Sequence, residues 1–197
     1  MRLFSCALLV CAAATVAGAA DDFKPEAGFK LVFNGKDLTG WQTRAETKKD
    51  KDGNKTEVKP MALEGRTEAY GHRFAVKDGA LVIDYKTKGD KYLETVQKFG
   101  GDFTIRYDFK PGEGCNNDTL LLGMKFDIVT SAKNTTKGVK LGEWNKMEIV
   151  VKSGSADFLV NGEKVATQKL KGEKGPLVLR AEFGPIAYKN IRATEAK

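Results

Sequence analysis

The chain has 197 residues, 41% of them hydrophobic and 30% charged, with a formal net charge of +7. That length fits one domain with a sizeable core. The 33 Lys and Arg are scattered through loops rather than massed on one face, and no nucleic-acid motif accompanies them. A lysine-rich solvated surface is therefore expected, and no nucleic-acid partner.

Residues 1–20 read as a secretory leader. Arg2 supplies a short basic start, residues 3–16 are apolar, and Ala17-Gly18-Ala19 is a small-residue cleavage pattern near Ala19 or Ala20. The apolar run falls short of the ~20 residues a spanning helix needs. The expectation is a secreted or periplasmic protein with one domain over residues 21–197 and no integral membrane segment in the mature chain. Losing Arg2 leaves a charge of about +6. Cys6 and Cys11 leave with the leader, so Cys115 has no internal disulfide partner. It is expected to pack as a buried free thiol.

Residues 29–33 (FKLVF) read as a first strand, closed by the turn dipeptide Asn34-Gly35. Residues 36–41 read as a short turn that tucks Trp41 into the core, and core packing is also expected of Trp144. Residues 44–59 are highly charged and aperiodic, and are expected as a surface loop. From Arg73 onward the pattern is all β. Residues 74–76 and 80–85 flank Lys77-Asp78-Gly79, a hairpin signal. Residues 91–96 are a further candidate strand.

Residues 103–128 organise the rest. Phe103, Ile105, Tyr107 and Phe109 alternate with Thr104, Arg106, Asp108 and Lys110, which places one set on each face of a sheet. Taken as one strand from Thr119, the segment has Leu120, Leu122, Met124, Phe126 and Ile128 on the apolar side. Lys125 and Asp127 then fall on the polar side, with Leu121 as an apolar outlier. Between the strands lies a polar loop over residues 112–118, with the run GCNND. Asn116, Asn117 and Asp118 offer short oxygen ligands for sugar hydroxyls or a hard divalent cation such as calcium. The same residue types also serve plain turns.

Residues 130–142 read as a loop. Residues 145–152 and 156–160 form a hairpin around residues 153–155, and Asn161-Gly162 is a strong turn signal leading into residues 164–170. Strands follow over residues 176–183 and 186–194. In the first, Leu177, Leu179, Ala181 and Phe183 point one way and Val178, Arg180 and Glu182 the other. About ten short strands with turn punctuation predict an all-β, two-sheet β-sandwich or jelly roll. Arg106, Asp108, Lys125, Asp127, Arg180 and Glu182 are then candidates to share one sheet face. Charges there mark either a wet functional face or a plain solvated outer sheet.

Four segments, in order, resemble the 3-keto-disaccharide hydrolase domain family: GFKLVFNGKDLTGW (residues 28–41), GDFTIRYDFK (101–110), GEWNKMEIVVK with VNGEKV (142–152 and 160–165), and GPLVLRAEFGPIAYKNIRATE (175–195). The family's fold is similar to concanavalin A-like lectins and glucanases. The resemblance implies a carbohydrate partner and cleavage of glycosides oxidised to a ketone at C3. The ketone acidifies the C2 hydrogen, a base removes it, and the enolate expels the group at C1. Such a site needs a base, a cation or metal at the enolate oxygen, and a proton donor. By residue type Asp108 or Asp127 is the base, Arg106, Lys125 or Arg180 the oxyanion partner, and Glu182 the acid. His72, the one histidine, is a reserve base. Lys125 and Asp127 stand where the family commonly carries Glu and Gln, and Arg180 where Gln is usual. Non-catalytic carbohydrate binding on the same face is the alternative.

Overall fold

The computed structural model describes residues 23–84, 86, 89–131 and 133–194. The expected leader lies outside them. Sixteen strands and no helix are assigned among the described residues: β1 (Phe29–Leu31), β2 (Trp41–Thr43), β3 (Glu46–Lys49), β4 (Lys55–Val58), β5 (Glu68–Ala69), β6 (Phe74–Lys77), β7 (Ala80–Ile83), β8 (Lys91–Gly100), β9 (Phe103–Pro111), β10 (Asn116–Leu121), β11 (Met124–Val129), β12 (Asn145–Lys152), β13 (Ser155–Val160), β14 (Glu163–Lys169), β15 (Lys174–Phe183) and β16 (Ile186–Thr194).

A nine-stranded sheet runs β14-β13-β12-β9-β16-β7-β6-β5, with β1 paired to the far half of β16. A five-stranded sheet runs β11-β10-β15-β8-β2, and β3 and β4 form a separate hairpin. The two larger sheets are antiparallel throughout and close on one core, the expected sandwich. Alternation did the sorting. Phe103, Ile105, Tyr107 and Phe109 on β9 are buried, as are Met147, Ile149 and Val151 on β12. Leu177, Leu179 and Ala181 on β15 meet them from the other sheet. Phe126 of β11 stacks on Phe158 of β13 at 4.8 Å between ring centroids, a cross-sheet contact worth about 1 kcal/mol beyond its buried area.

Three details depart from the sequence reading. Residues 44–59 are not a bare loop, because Glu46–Lys49 and Lys55–Val58 pair as a hairpin around a turn whose amides bond the Asp50 carboxylate. Residues 119–128 are not one strand. Leu122-Gly123 is a two-residue turn with φ of 49° and 74°, the geometry that Asn-Gly usually supplies. The turn reverses the parity before it: Leu121 is buried, and Leu120 lies on the outer face. Phe183 is 63% exposed rather than buried. The β10–β15 register slips between Asn116 and Asp118, and this bulge turns Phe183 to the outer side that Arg180 and Glu182 occupy by alternation.

Trp41 is fully buried and donates Nε1–H to the Val32 carbonyl at 3.0 Å. A fourth departure is Trp144, expected in the core: it is 40% exposed, and the Lys189 ammonium sits 4.5 Å from its ring centre. Among the described residues no helix is long and apolar enough to cross a membrane.

Candidate active face

The charged residues expected on one face divide between the two outer faces of the sandwich. β9 belongs to the nine-stranded sheet, whereas β10, β11 and β15 belong to the five-stranded one. Since the apolar sides face each other, the polar sides point apart. Parity along a strand says which residues share a side of that strand; it does not say which sheet the strand joins.

On the nine-stranded sheet Arg106 is locked into structure. It donates to Glu26 at 2.7 Å and to Glu148 at 2.6 Å, and its guanidinium lies 4.6 Å from the Phe29 ring centre. Arg192 grips the other Glu26 oxygen at 2.7 Å. Burial opposes the Glu26 charge, but the two arginines outweigh it and hold the carboxyl at about 2. Asp108 accepts from Asn190 at 2.7 Å. This cluster pins β1 and the N-terminal segment onto β9, β12 and β16, so Arg106 and Asp108 leave the candidate site. His72 leaves it too. Its side chain is 74% exposed, paired with Glu68 near β5 and β6.

The five-stranded sheet gathers the rest. Register places Asp127, Asp118, Arg180 and Tyr92 in one row across β11, β10, β15 and β8. The next row is Lys125, Leu120, Val178, Glu94 and Gln42. Arg180 joins both sides. Its Nη1 donates to Asp118 at 2.6 Å and lies 3.0 Å from Glu182, and its Nη2 donates to Asp90 at 2.6 Å. Lys125 Nζ lies 2.6 Å from Asp127 and 4.0 Å from Asp118.

Asp118 and Asp127 are direct cross-strand neighbours, and their environments differ. The Asp118 side chain is fully buried, whereas that of Asp127 is 44% exposed. Burial, together with a hydrogen bond to the Asp127 carboxylate, pushes Asp118 up to about 6. The same hydrogen bond, helped by Lys125, holds Asp127 below the usual carboxylate range. Below about pH 6 the pair thus holds one proton, on Asp118. Asp118 Oδ1 is buried and has no hydrogen-bond partner among the described residues. Asp127 in turn draws Lys125 above its ordinary value. Burial works against the Arg180 charge, but its carboxylate partners leave it raised.

Asn117 and Arg73 hold this row in place. Asn117 is fully buried; its Oδ1 accepts the Glu182 amide at 2.9 Å and its Nδ2 donates to the Phe183 carbonyl at 2.8 Å. Arg73 is 1% exposed. It reaches from the nine-stranded side to the Glu182 carbonyl at 2.8 Å and also bonds the Asp84 carbonyl. Both satisfy backbone groups that the bulge frees from the ladder. Asn116, Asn117 and Asp118 are therefore strand residues with separate tasks. They do not converge as a cation cage, and no group of three His, Cys, Asp or Glu among the described residues is placed to hold a metal. Cys115 is buried as expected, and burial pushes its thiol up to about 11.

Clefts flank the central row on both sides. One of about 460 Å³ is lined by Asn116, Lys125, Asp127, Ser131, Asn134 and Glu182. The other, about 450 Å³, lies toward the Leu122-Gly123 turn over Leu120, Pro176 and Val178. Sequence reasoning missed Arg73, Asp90, Tyr92, Glu94 and Gln42. Their strands were legible in part, but only pairing order reveals that β8 and β2 lie beside β15.

The fold is a two-sheet, concanavalin A-like jelly roll, with its candidate site on the smaller sheet. A candidate glycosyl hydrolase of Parabacteroides distasonis superposes with a TM-score of 0.58 at 17% identity, over 86% of this chain and 95% of that one. A β-1,3-glucanase of Mycobacterium marinum gives 0.52 at 13%, over 87% and 98%. A galectin-like protein of unknown function from Bacillus subtilis gives 0.51 at 9%, over 80% and 90%. At these identities the likeness is one of fold. No curated protein matches the chain in sequence. Residues 28–128 and 121–194 match the 3-keto-alpha-glucoside-1,2-lyase-like domain, and the chain belongs to that carbohydrate-active family.

Proposed function

We propose that the protein cleaves a glycoside oxidised to a ketone at C3, on the outer face of the five-stranded sheet. The observation that carries this is an exposed carboxylate, Asp127, held between the buried Asp118 side chain and the Lys125 cation at the edge of a cleft. The reacting ring occupies the cleft bordered by Asp127 and Glu182. Asp127 takes the C2 proton, and Lys125 supplies positive charge to the enolate oxygen. Glu182, across the cleft on β15, gives a proton to the departing oxygen at C1 and regains one from the water that adds next. Water then adds to the unsaturated ketone, and the net reaction is hydrolysis. Residues 1–20 support export, so the substrate is met outside the cytoplasm.

The test is release of nitrophenol from nitrophenyl 3-keto-glucosides of both anomers. Wild type releases it and Asp127→Asn does not; release by neither anomer sinks the reading. One observation favours the second reading, non-catalytic sugar binding. Lys125 and Asp127 neutralise each other at 2.6 Å, and a carboxylate held below its usual range is a weak base. That reading predicts sugar-dependent stabilisation without turnover.

A further inference from the structure

The second cleft, toward the Leu122-Gly123 turn, has a composition the proposed chemistry does not use. Its floor is apolar, from Leu120, Pro176 and Val178, with Pro60 at one wall. Around it stand Arg44, Lys98 and Lys174, all exposed. None of the three makes an ion pair with a described residue, whereas the cations of the central row are all paired. The one acid in the lining, Glu94, accepts a hydrogen bond from Gln42 at 2.8 Å. Three cations against one acid, over an apolar floor, make a positive hollow beside an acid-rich row.

The two zones are contiguous. The Tyr92 ring lies 5.1 Å from the Arg44 guanidinium and 5.9 Å from that of Arg180, so one ring borders both. Leu120 and Val178 are two residues along their strands from Asp118 and Arg180, roughly 7 Å. A sugar ring placed over Asp127, with C1 at Glu182, therefore has its opposite end toward this cleft.

We propose that the second cleft binds a further sugar on the non-leaving side of the substrate, and that this sugar is anionic, one carrying a carboxylate, sulfate or phosphate group. The apolar floor takes the C–H face of its ring, and Arg44, Lys98 and Lys174 take its charge. The assignment rests on the proposed placement of the reacting ring on the same sheet.

Binding by calorimetry at low salt tests it, with cellobiose, its C6 monocarboxylate and its C6 sulfate ester as probes, against wild type and the triple variant Arg44→Gln, Lys98→Gln, Lys174→Gln. The account expects both anionic disaccharides to bind wild type about tenfold more tightly than cellobiose, and the triple variant to lose that margin. These side chains are exposed, so the variant folds. Equal affinity for charged and neutral disaccharides, or a margin that survives in the variant, overturns the proposal. A preference for one anion over the other supports it and names the group. Release of nitrophenol from the neutral 3-keto-glucoside is followed in parallel. If release persists while the anionic preference is missing, only this inference fails; if release is missing as well, the catalytic reading fails with it.

Discussion

Asp118→Asn makes the protein more stable at neutral pH, and the reason lies in where the proton sits. Unfolded, the Asp118 carboxyl releases its proton near its ordinary value of 3.8; folded, burial and Asp127 keep it bound up to about 6. Between those values the unfolded chain has lost a proton that the native chain retains, so rising pH favours unfolding. A raised carboxyl thus contributes stability below its unfolded value that is lost as pH climbs through its folded value. A shift of about 2 pH units corresponds to about 3 kcal/mol. The side chain is fully buried, so solvent does not screen the interaction. Asparagine keeps the shape, accepts the Arg180 Nη1 bond and donates to Asp127, but does not titrate. The other shifted carboxyls among the described residues, Glu26, Asp37, Asp50, Asp127 and Asp157, are all depressed and act at lower pH. Urea unfolding of both proteins at half-unit steps from pH 4 to pH 7.5 gives the difference curve. The two match within about 1 kcal/mol at pH 4, and the variant leads by about 3 kcal/mol at pH 7. Parallel curves, or a wild type that gains on the variant as pH rises, would refute the shared proton.

Further outcomes follow from single side chains. Asp127→Asn lowers turnover of a 3-keto-glucoside at least about a hundredfold while the melting curve stays close to wild type; near-normal turnover would remove Asp127 as the base. Gly184 sits at φ +69°, and a Cβ there would lie 2.4 Å from the Gly114 carbonyl oxygen. Gly184→Ala is therefore expected to cost about 2–4 kcal/mol in denaturant unfolding, and a cost below ~0.5 kcal/mol would contradict the packing of the bulge. Arg73→Met strips donors from the Asp84 and Glu182 carbonyls and should cost about 2–4 kcal/mol, with loss of turnover larger than loss of stability explains. Cys115, buried with its thiol raised to about 11, is expected to react with a thiol reagent only as fast as the protein unfolds; rapid labelling of native protein would mean the site is open.

Much of the architecture was readable from alternation. β9 and β12 each carry a clean period of two, and their apolar sets are the buried ones, whereas register shifts interrupt the alternation in β15 and β16. The misreadings have local causes. Leu122 takes the left-handed place that Asn or Asp usually fills, so the β10–β11 turn carries no polar signature, and one missed turn inverted the reading of β10. Phe183 looked like a core residue until the bulge moved it, and a bulge depends on the partner strand as much as on its own residues. The largest loss concerns sheet membership. Arg106 and Asp127 sit on strands of matching pattern, yet long-range pairing sends them to opposite faces. Asp118, read as a loop ligand, became the buried half of an acid pair because burial depends on Arg180 and Lys125 closing over it.

Solvent deuterium exchange at C2 of a 3-keto-glucoside, followed by proton NMR, reports the first chemical step directly and does not require the glycosidic bond to break. The account predicts that wild type washes deuterium into C2, that Asp127→Asn does not, and that Asp108→Asn on the opposite sheet exchanges like wild type. Exchange that survives in Asp127→Asn but vanishes in Asp108→Asn would place the chemistry on the nine-stranded sheet and contradict the account.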